Sequence, residues 1–193
     1  MPEQPVVPDD PTVIRRPTSS DPVEKQITVI SGGGKILPTS NSISTNELGQ
    51  MLEGEMLGPL RLDKFIGGGG MGAVFRAHDT NLSRTVAVKI LLGRGSGGDL
   101  KKRFQLEAQS AARLDHENIA RVFYVGEHDN WNYIVFEYID GINIRDLVHQ
   151  HGPLLIDDVV NYTLQVAEAL HHASRRDVVH RDIKAENFLL LGA

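Results

Sequence analysis

The chain has 193 residues, 40% of them hydrophobic, and its 20 basic and 25 acidic side chains give a formal net charge of −5. That size holds one moderate domain plus additional sequence, and an acidic balance without any basic cluster argues against a nucleic-acid partner. Cysteine is absent, which excludes disulfides, thiolate nucleophiles and thiolate zinc sites and suits a reducing compartment.

Seven of the nine prolines fall before residue 47 (Pro2, Pro5, Pro8, Pro11, Pro17, Pro22 and Pro38), among Ser, Thr and the run Gly32, Gly33, Gly34. Such a stretch buries too little apolar surface to offset its ordering entropy, so residues 1–46 are expected to form a mobile tail. Thr12, Thr18 and Ser19 are candidate phosphorylation sites within it; an unmodified leader is the plainer reading. Residues 47–59 read as a linker. No apolar run approaches the roughly 20 residues that span a bilayer, and the amino terminus lacks a basic segment followed by an apolar core. The expectation is a cytoplasmic chain with no membrane segment.

From Leu60 the pattern changes. Leu60, Leu62 and Ile66 are spaced to share one side of a strand, a glycine cluster follows, and 73–77 and 85–91 read as further strands. The segments 119–125 and 131–138 are strand-like on either side of a turn at His128, Asp129 and Asn130. These predict a five-stranded antiparallel sheet interrupted by one helix over about 100–114. The second half is helical. Asn143 is placed to cap a short helix ending before Gly152, and Asp157 or Asp158 a longer one in which Val159, Thr163, Val166, Leu170 and Ala173 form a core-facing stripe. No internal repeat is present.

Gly67, Gly69 and Gly72 form a G-x-G-x-x-G pattern between Ile66 and Val74. Glycine lets backbone approach a phosphate closely, although in a glycine-rich stretch a flexible loop is the default reading. A dinucleotide fingerprint opens a helix; here a strand follows, so the glycines bend a hairpin instead. In Val86-Ala87-Val88-Lys89, alternation puts Val86, Val88 and Ile90 on one face and Ala87 with Lys89 on the other. Small Ala87 leaves room for an adenine ring while Lys89 reaches toward phosphates. Glu107 shares a helical stripe with Phe104, Ala108 and Ala111; a charge on an inward face needs a partner, and Lys89 is the best candidate. A glutamate at the stripe's margin reaching water is the alternative.

The strongest constellation is His180-Arg181-Asp182-Ile183-Lys184-Ala185-Glu186-Asn187, just before the apolar run Phe188–Leu191. Asp182 is suited to orient a hydroxyl proton, Lys184 to neutralise a transferring phosphoryl group, and Asn187 to offer an amide oxygen to Mg²⁺.

Taken together, the glycine loop, Val-Ala-Val-Lys, the helical Glu and His-Arg-Asp resemble the eukaryotic-like protein kinases, whose signature motifs follow one another in this order. Gly69-Gly70-Met71-Gly72 and Leu114-Asp115-His116-Glu117-Asn118-Ile119 look most like the bacterial serine/threonine branch, as does Lys184 two residues after Asp182. The resemblance covers about residues 60–191. It implies an α+β kinase fold: an N-terminal lobe over 60–138 with a five-stranded sheet and one helix, then the first helices of a helical C-terminal lobe over 139–193.

It further implies ATP and Mg²⁺ as cofactors and a protein bearing Ser or Thr as substrate. Residue by residue, Ile66, Gly67, Gly69, Gly72 and Val74 would cover the nucleotide, Ala87 would border adenine, and Lys89 would meet the α- and β-phosphates, held by Glu107. Phe136 would limit the back pocket, Glu137 and Ile139 would form the hinge, and Asn143 would lie near the ribose. Asp182, Lys184 and Asn187 would be catalytic, Asn187 also the metal ligand, and Arg181 would read a phosphorylated activation loop. Ala185 stands where many relatives have proline, a change of stiffness rather than chemistry.

The 193 residues contain no Asp-Phe-Gly after Asn187. Taken as it stands, the sequence is therefore expected to be a truncated kinase that retains the nucleotide lobe with little or no transfer activity. A second expectation is a non-catalytic nucleotide-binding or partner-binding remnant, with the uncovered face of the longer helix at Val166 and Leu170 inviting self-association.

Overall fold

The computed structural model describes residues 26–29, 44–69, 72–91, 98–180 and 182–191. Most of the expected tail, with Thr12, Thr18 and Ser19, lies outside them, as do Gly70, Met71 and Arg181. Within residues 1–46, β1 (Gln26–Val29) forms a strand, and the stretch expected as a linker holds most of α1 (Thr45–Leu52) and all of β2 (Met56–Leu57). A capping box starts α1: Ser44 Oγ accepts from Glu47 N, and the Glu47 carboxylate accepts from Ser44 N.

The main sheet comprises β2, β3 (Leu60–Gly69), β4 (Gly72–Asp79), β5 (Arg84–Leu91), β6 (Val122–His128) and β7 (Trp131–Glu137), all antiparallel in the order β2-β3-β4-β5-β7-β6. It has six strands rather than five. The additional strand is the two-residue β2, too short to carry a period-two signal. The β6–β7 turn at Asp129 and Asn130 has positive φ at both central residues (47° and 66°), the backbone that matches strand twist in a two-residue hairpin.

Alternation divides the sheet, with an interruption in β3. One face buries Leu60, Leu62, Phe75, Val88, Ile90 and Val135, with Leu48 of α1 packed against it. The opposite face carries Ala87, Leu91, Ile134 and Phe136 against Phe104 and Ala108 of α2 (Gly98–Ala111). Ile66 does not share the Leu60 and Leu62 side as its spacing suggested; it is 47% exposed. Register shifts between Leu62 and Lys64 and between Phe65 and Gly67 reset the alternation, so Phe65 turns to the core and Ile66 to the other side.

After β7 come β8 (Gly141–Asn143), α3 (Ile144–His151), α4 (Ile156–Ser174), a 3₁₀ turn (Ala185–Asn187) and β9 (Phe188–Leu191). A second, three-stranded sheet runs β1-β9-β8, each pair antiparallel. Neither Asp157 nor Asp158 caps α4: the N-cap is Leu155, without a side-chain hydrogen bond, and both aspartates lie in the first turn, where they complement the helix dipole.

The buried stripe of α4 is Tyr162, Ala169 and Ala173, with Val166 partly buried between them; Val159 and Thr163 are exposed. Apolar residues cover a wide arc of this helix, opposite a polar side with Asp157, Asn161, Gln165 and Glu168, so its period alone does not fix which part of the arc is buried; the packing of Val166 and Ala173 beside Leu114 and Ile119 does. Val160 and Leu164 on the outward side are 53% and 58% exposed. Among the described residues, no helix is long and apolar enough to cross a membrane.

Candidate active site

Between the two sheets lies a cleft of about 760 Å³, roofed by Gly67 to Gly69 and floored by Leu189. Ile66, Gly67, Gly69, Gly72, Val74, Lys89, Ile139, Asn143, Lys184 and Asn187, all singled out from the sequence, line it. At Gly67 φ is +145°, a backbone that side-chain-bearing residues rarely adopt, and a Cβ there would project into open space. That strand of glycines therefore presents backbone, not side chains, to whatever occupies the cleft.

Lys89 and Glu107 meet across the lobe. Lys89 Nζ donates to Glu107 Oε1 at 2.6 Å, with Lys89 only 6% and Glu107 1% exposed. The strand delivers the ammonium because Val88 and Ile90 are drawn to the opposite core, and α2 delivers the carboxylate because Phe104, Ala108 and Ala111 share its buried stripe. Ala87 sits beside Lys89 on the same face, 8% exposed and paired with Phe136, but neither Ala87 nor Phe136 lines the cleft directly. Of the two residues expected to form a hinge, Glu137 N donates to Arg121 O (2.9 Å), so that amide is engaged by neighbouring backbone, and Ile139 lines the cleft.

Around the 3₁₀ turn, Asp182 gathers its neighbours. Lys184 Nζ donates to Asp182 Oδ2 at 2.6 Å, and Asn187 Nδ2 donates to Asp182 O at 2.7 Å and more weakly to Oδ2 at 3.4 Å. His180 is buried and fixes the loop from behind: Asp182 N donates to His180 O and to His180 Nδ1. Asp182 itself does not line the cleft but stands at its edge through Lys184 and Asn187. Donation by the Asn187 amide nitrogen leaves its oxygen as the metal-facing candidate. Among the described residues no group of three His, Cys, Asp or Glu side chains is placed to hold a metal. Asn187, in the cleft wall, would contribute one amide oxygen to Mg²⁺, an ion that would otherwise be held by phosphate and water.

Asn143 is more committed than its spacing suggested. Its Oδ1 accepts from Asp146 N and its Nδ2 donates to Asp146 Oδ2, both at 2.8 Å, so the amide caps α3 while the residue borders the cleft. Asn143→Ala is expected to lower stability by about 1 kcal/mol, Asn143→Ser much less, as read by urea denaturation.

Sequence reasoning missed Leu189, Tyr138, Asp146, Arg145 and Glu186 in the cleft wall. Leu189 was detectable from alternation in β9, since Leu190 turns to Tyr162 and Leu189 to Ile139. Arg145 bonds Glu186 at 3.1 Å across the cleft's lower rim. The Glu186 carboxyl is held below its usual range, chiefly by its own backbone N–H and then by Arg145.

A family model described as the protein kinase domain matches residues 60–192. The chain belongs to the protein kinase family. It is 40% identical over 142 residues to serine/threonine-protein kinase PrkC of Bacillus subtilis, covering 72% of this chain and 22% of that protein. To serine/threonine-protein kinase PknB of Mycolicibacterium smegmatis it is 38% identical over 136 residues, covering 67% and 21%. The crystal structure of the Mycobacterium tuberculosis PknI kinase domain superposes with a TM-score of 0.61 at 28% identity, over 72% of this chain and 58% of that one. The chain spans only 22% and 21% of the length of those two curated kinases.

Proposed function

We propose that this chain forms the nucleotide lobe and catalytic loop of a serine/threonine protein kinase that transfers the ATP γ-phosphoryl group to a protein Ser or Thr hydroxyl. The observation that carries the reading is the buried 2.6 Å Lys89–Glu107 pair opening onto a glycine-roofed cleft. Glu107 compensates the ammonium and fixes where it points, and its place in the cleft wall leaves it within reach of a second anion, such as a phosphate.

In this reading, Ile66, Val74, Ile139 and Leu189 sandwich the flat adenine ring, and Lys89 meets the α- and β-phosphates. The glycine backbone covers them without side-chain obstruction. Mg²⁺, when bound with ATP, supplies charge neutralisation at the phosphates. Asp182 accepts and orients the proton of the acceptor hydroxyl, and Lys184, already at its carboxylate, stabilises charge on the transferred group. The Asn187 bond to the Asp182 carbonyl holds this loop in register.

The test is calorimetric titration of the 193-residue chain with ATP in the presence of Mg²⁺. Saturable binding in the micromolar to millimolar range, lost in Lys89→Ala, is the expected result. No saturable heat at millimolar ATP would overturn the reading.

A further inference from the structure

The outer edge of the glycine strand is partly covered by the chain that precedes it. Four backbone groups of β3 are taken up in turn by the segment preceding it. Gly54 N donates to Leu62 O and Leu62 N to Glu55 O, the Glu53 carboxylate accepts from Phe65 N at 2.9 Å, and Thr45 Oγ1 donates to Gly69 O at 2.9 Å. The Phe65 bond falls where a register shift interrupts pairing with β4. The Thr45 bond falls at the far end of β3, 24 residues away in sequence and directly at the cleft roof.

Thr45 is fixed there by its own surroundings. The Ser44–Glu47 capping box sets the first turn of α1, and Leu48, 1% exposed, anchors that helix on the sheet. The Thr45 methyl packs so closely over Gly68 that a Cβ on Gly68 would collide with it. Both ends of the side chain therefore bear on the roof, the hydroxyl on Gly69 and the methyl on Gly68. A strand with glycine at 67, 68 and 69 has much backbone freedom to lose when it closes on a ligand. A hydrogen bond that removes part of that freedom beforehand lowers the ordering cost of binding.

We propose that Thr45 is a positioning residue for nucleotide: it holds the glycine roof over the phosphates from outside the cleft, which makes α1 a working part of the ATP site. The inference rests on the nucleotide reading above.

The test compares the full 193-residue chain with Thr45→Val, which keeps the shape and deletes the hydroxyl, and Thr45→Ser, which keeps the hydroxyl. Each is titrated with ATP and Mg²⁺, melted without nucleotide, and followed by amide exchange at Gly67 to Gly69. Thr45→Val is expected to weaken ATP binding about three- to tenfold, the scale of one hydrogen bond, and to speed exchange at those amides, while Thr45→Ser stays within about twofold of the unaltered chain. Unchanged affinity in Thr45→Val would overturn the inference, even with a lowered melting point, because the contact would then serve only folding. Equal weakening in Thr45→Ser and Thr45→Val would also overturn it, since the hydroxyl would not be the cause. Failure of the unaltered chain to bind ATP would remove the nucleotide reading and this inference with it, an outcome distinct from normal binding in every variant.

Discussion

Lys89→Ala is expected to abolish saturable ATP binding and, separately, to lower folding stability by about 3–5 kcal/mol, the scale for breaking a buried ion pair from one side. The second effect follows from burial. With Glu107 1% exposed, the carboxylate cannot replace the lost ammonium with bulk water, so removing Lys89 takes away the charge compensating it at 2.6 Å. A lysine-to-alanine change at this site is therefore not a silent control in this chain. Urea denaturation of Lys89→Met, Glu107→Gln and the Lys89→Met/Glu107→Gln double variant, beside Lys89→Ala, separates the contributions. The double variant should regain a large part of the stability, since both charges are gone, without regaining ATP affinity. A Lys89→Ala protein with an unchanged urea midpoint would show that the pair is not buried as described.

Asp182→Asn is expected to reduce any phosphoryl transfer the unaltered chain shows by about 10²- to 10⁴-fold, the range for loss of a general base. Because Asp182 stands at the edge of the cleft and does not line it, ATP affinity should stay within about twofold. The substitution keeps the size of the side chain and leaves the backbone carbonyl that receives Asn187 in place. Labelled-phosphate transfer to a mixed Ser/Thr protein acceptor reads the first effect and calorimetry the second. A tenfold fall in ATP affinity would place Asp182 in nucleotide binding instead of proton handling.

These two residues differ from Thr45 in how visible they are. Lys89 and Asp182 lie in short segments whose neighbours have fixed offsets, Ala87 to Lys89 on one face of a strand and Asp182 to Asn187 in one loop. Local geometry carries such offsets from sequence to structure with little loss. Thr45 acts on a residue 24 positions away, with no periodic relation to it, from the edge of a segment whose composition reads as tail and linker. Only the docking of α1 through Leu48 brings the hydroxyl to Gly69.

Reading residues in order was enough to place the strands β4, β5 and β7, the two faces of β5, the inward stripe of α2, a turn at Asp129 and Asn130, the α3 cap at Asn143 and, through the motifs they carry, membership of the protein kinase family. Each depends on side chains within about one turn or one hairpin of each other, where covalent geometry fixes the relation. The phase of α4, the facing of Ile66, the pairing of β1 with β9 and the bond from α1 to the glycine roof emerged only once the chain was folded. A helix with a wide apolar arc can bury more than one part of it, and a bulge shifts a strand's facing without marking the sequence. In both cases the choice falls to the partner surface, and that surface is assembled from residues distant in the chain.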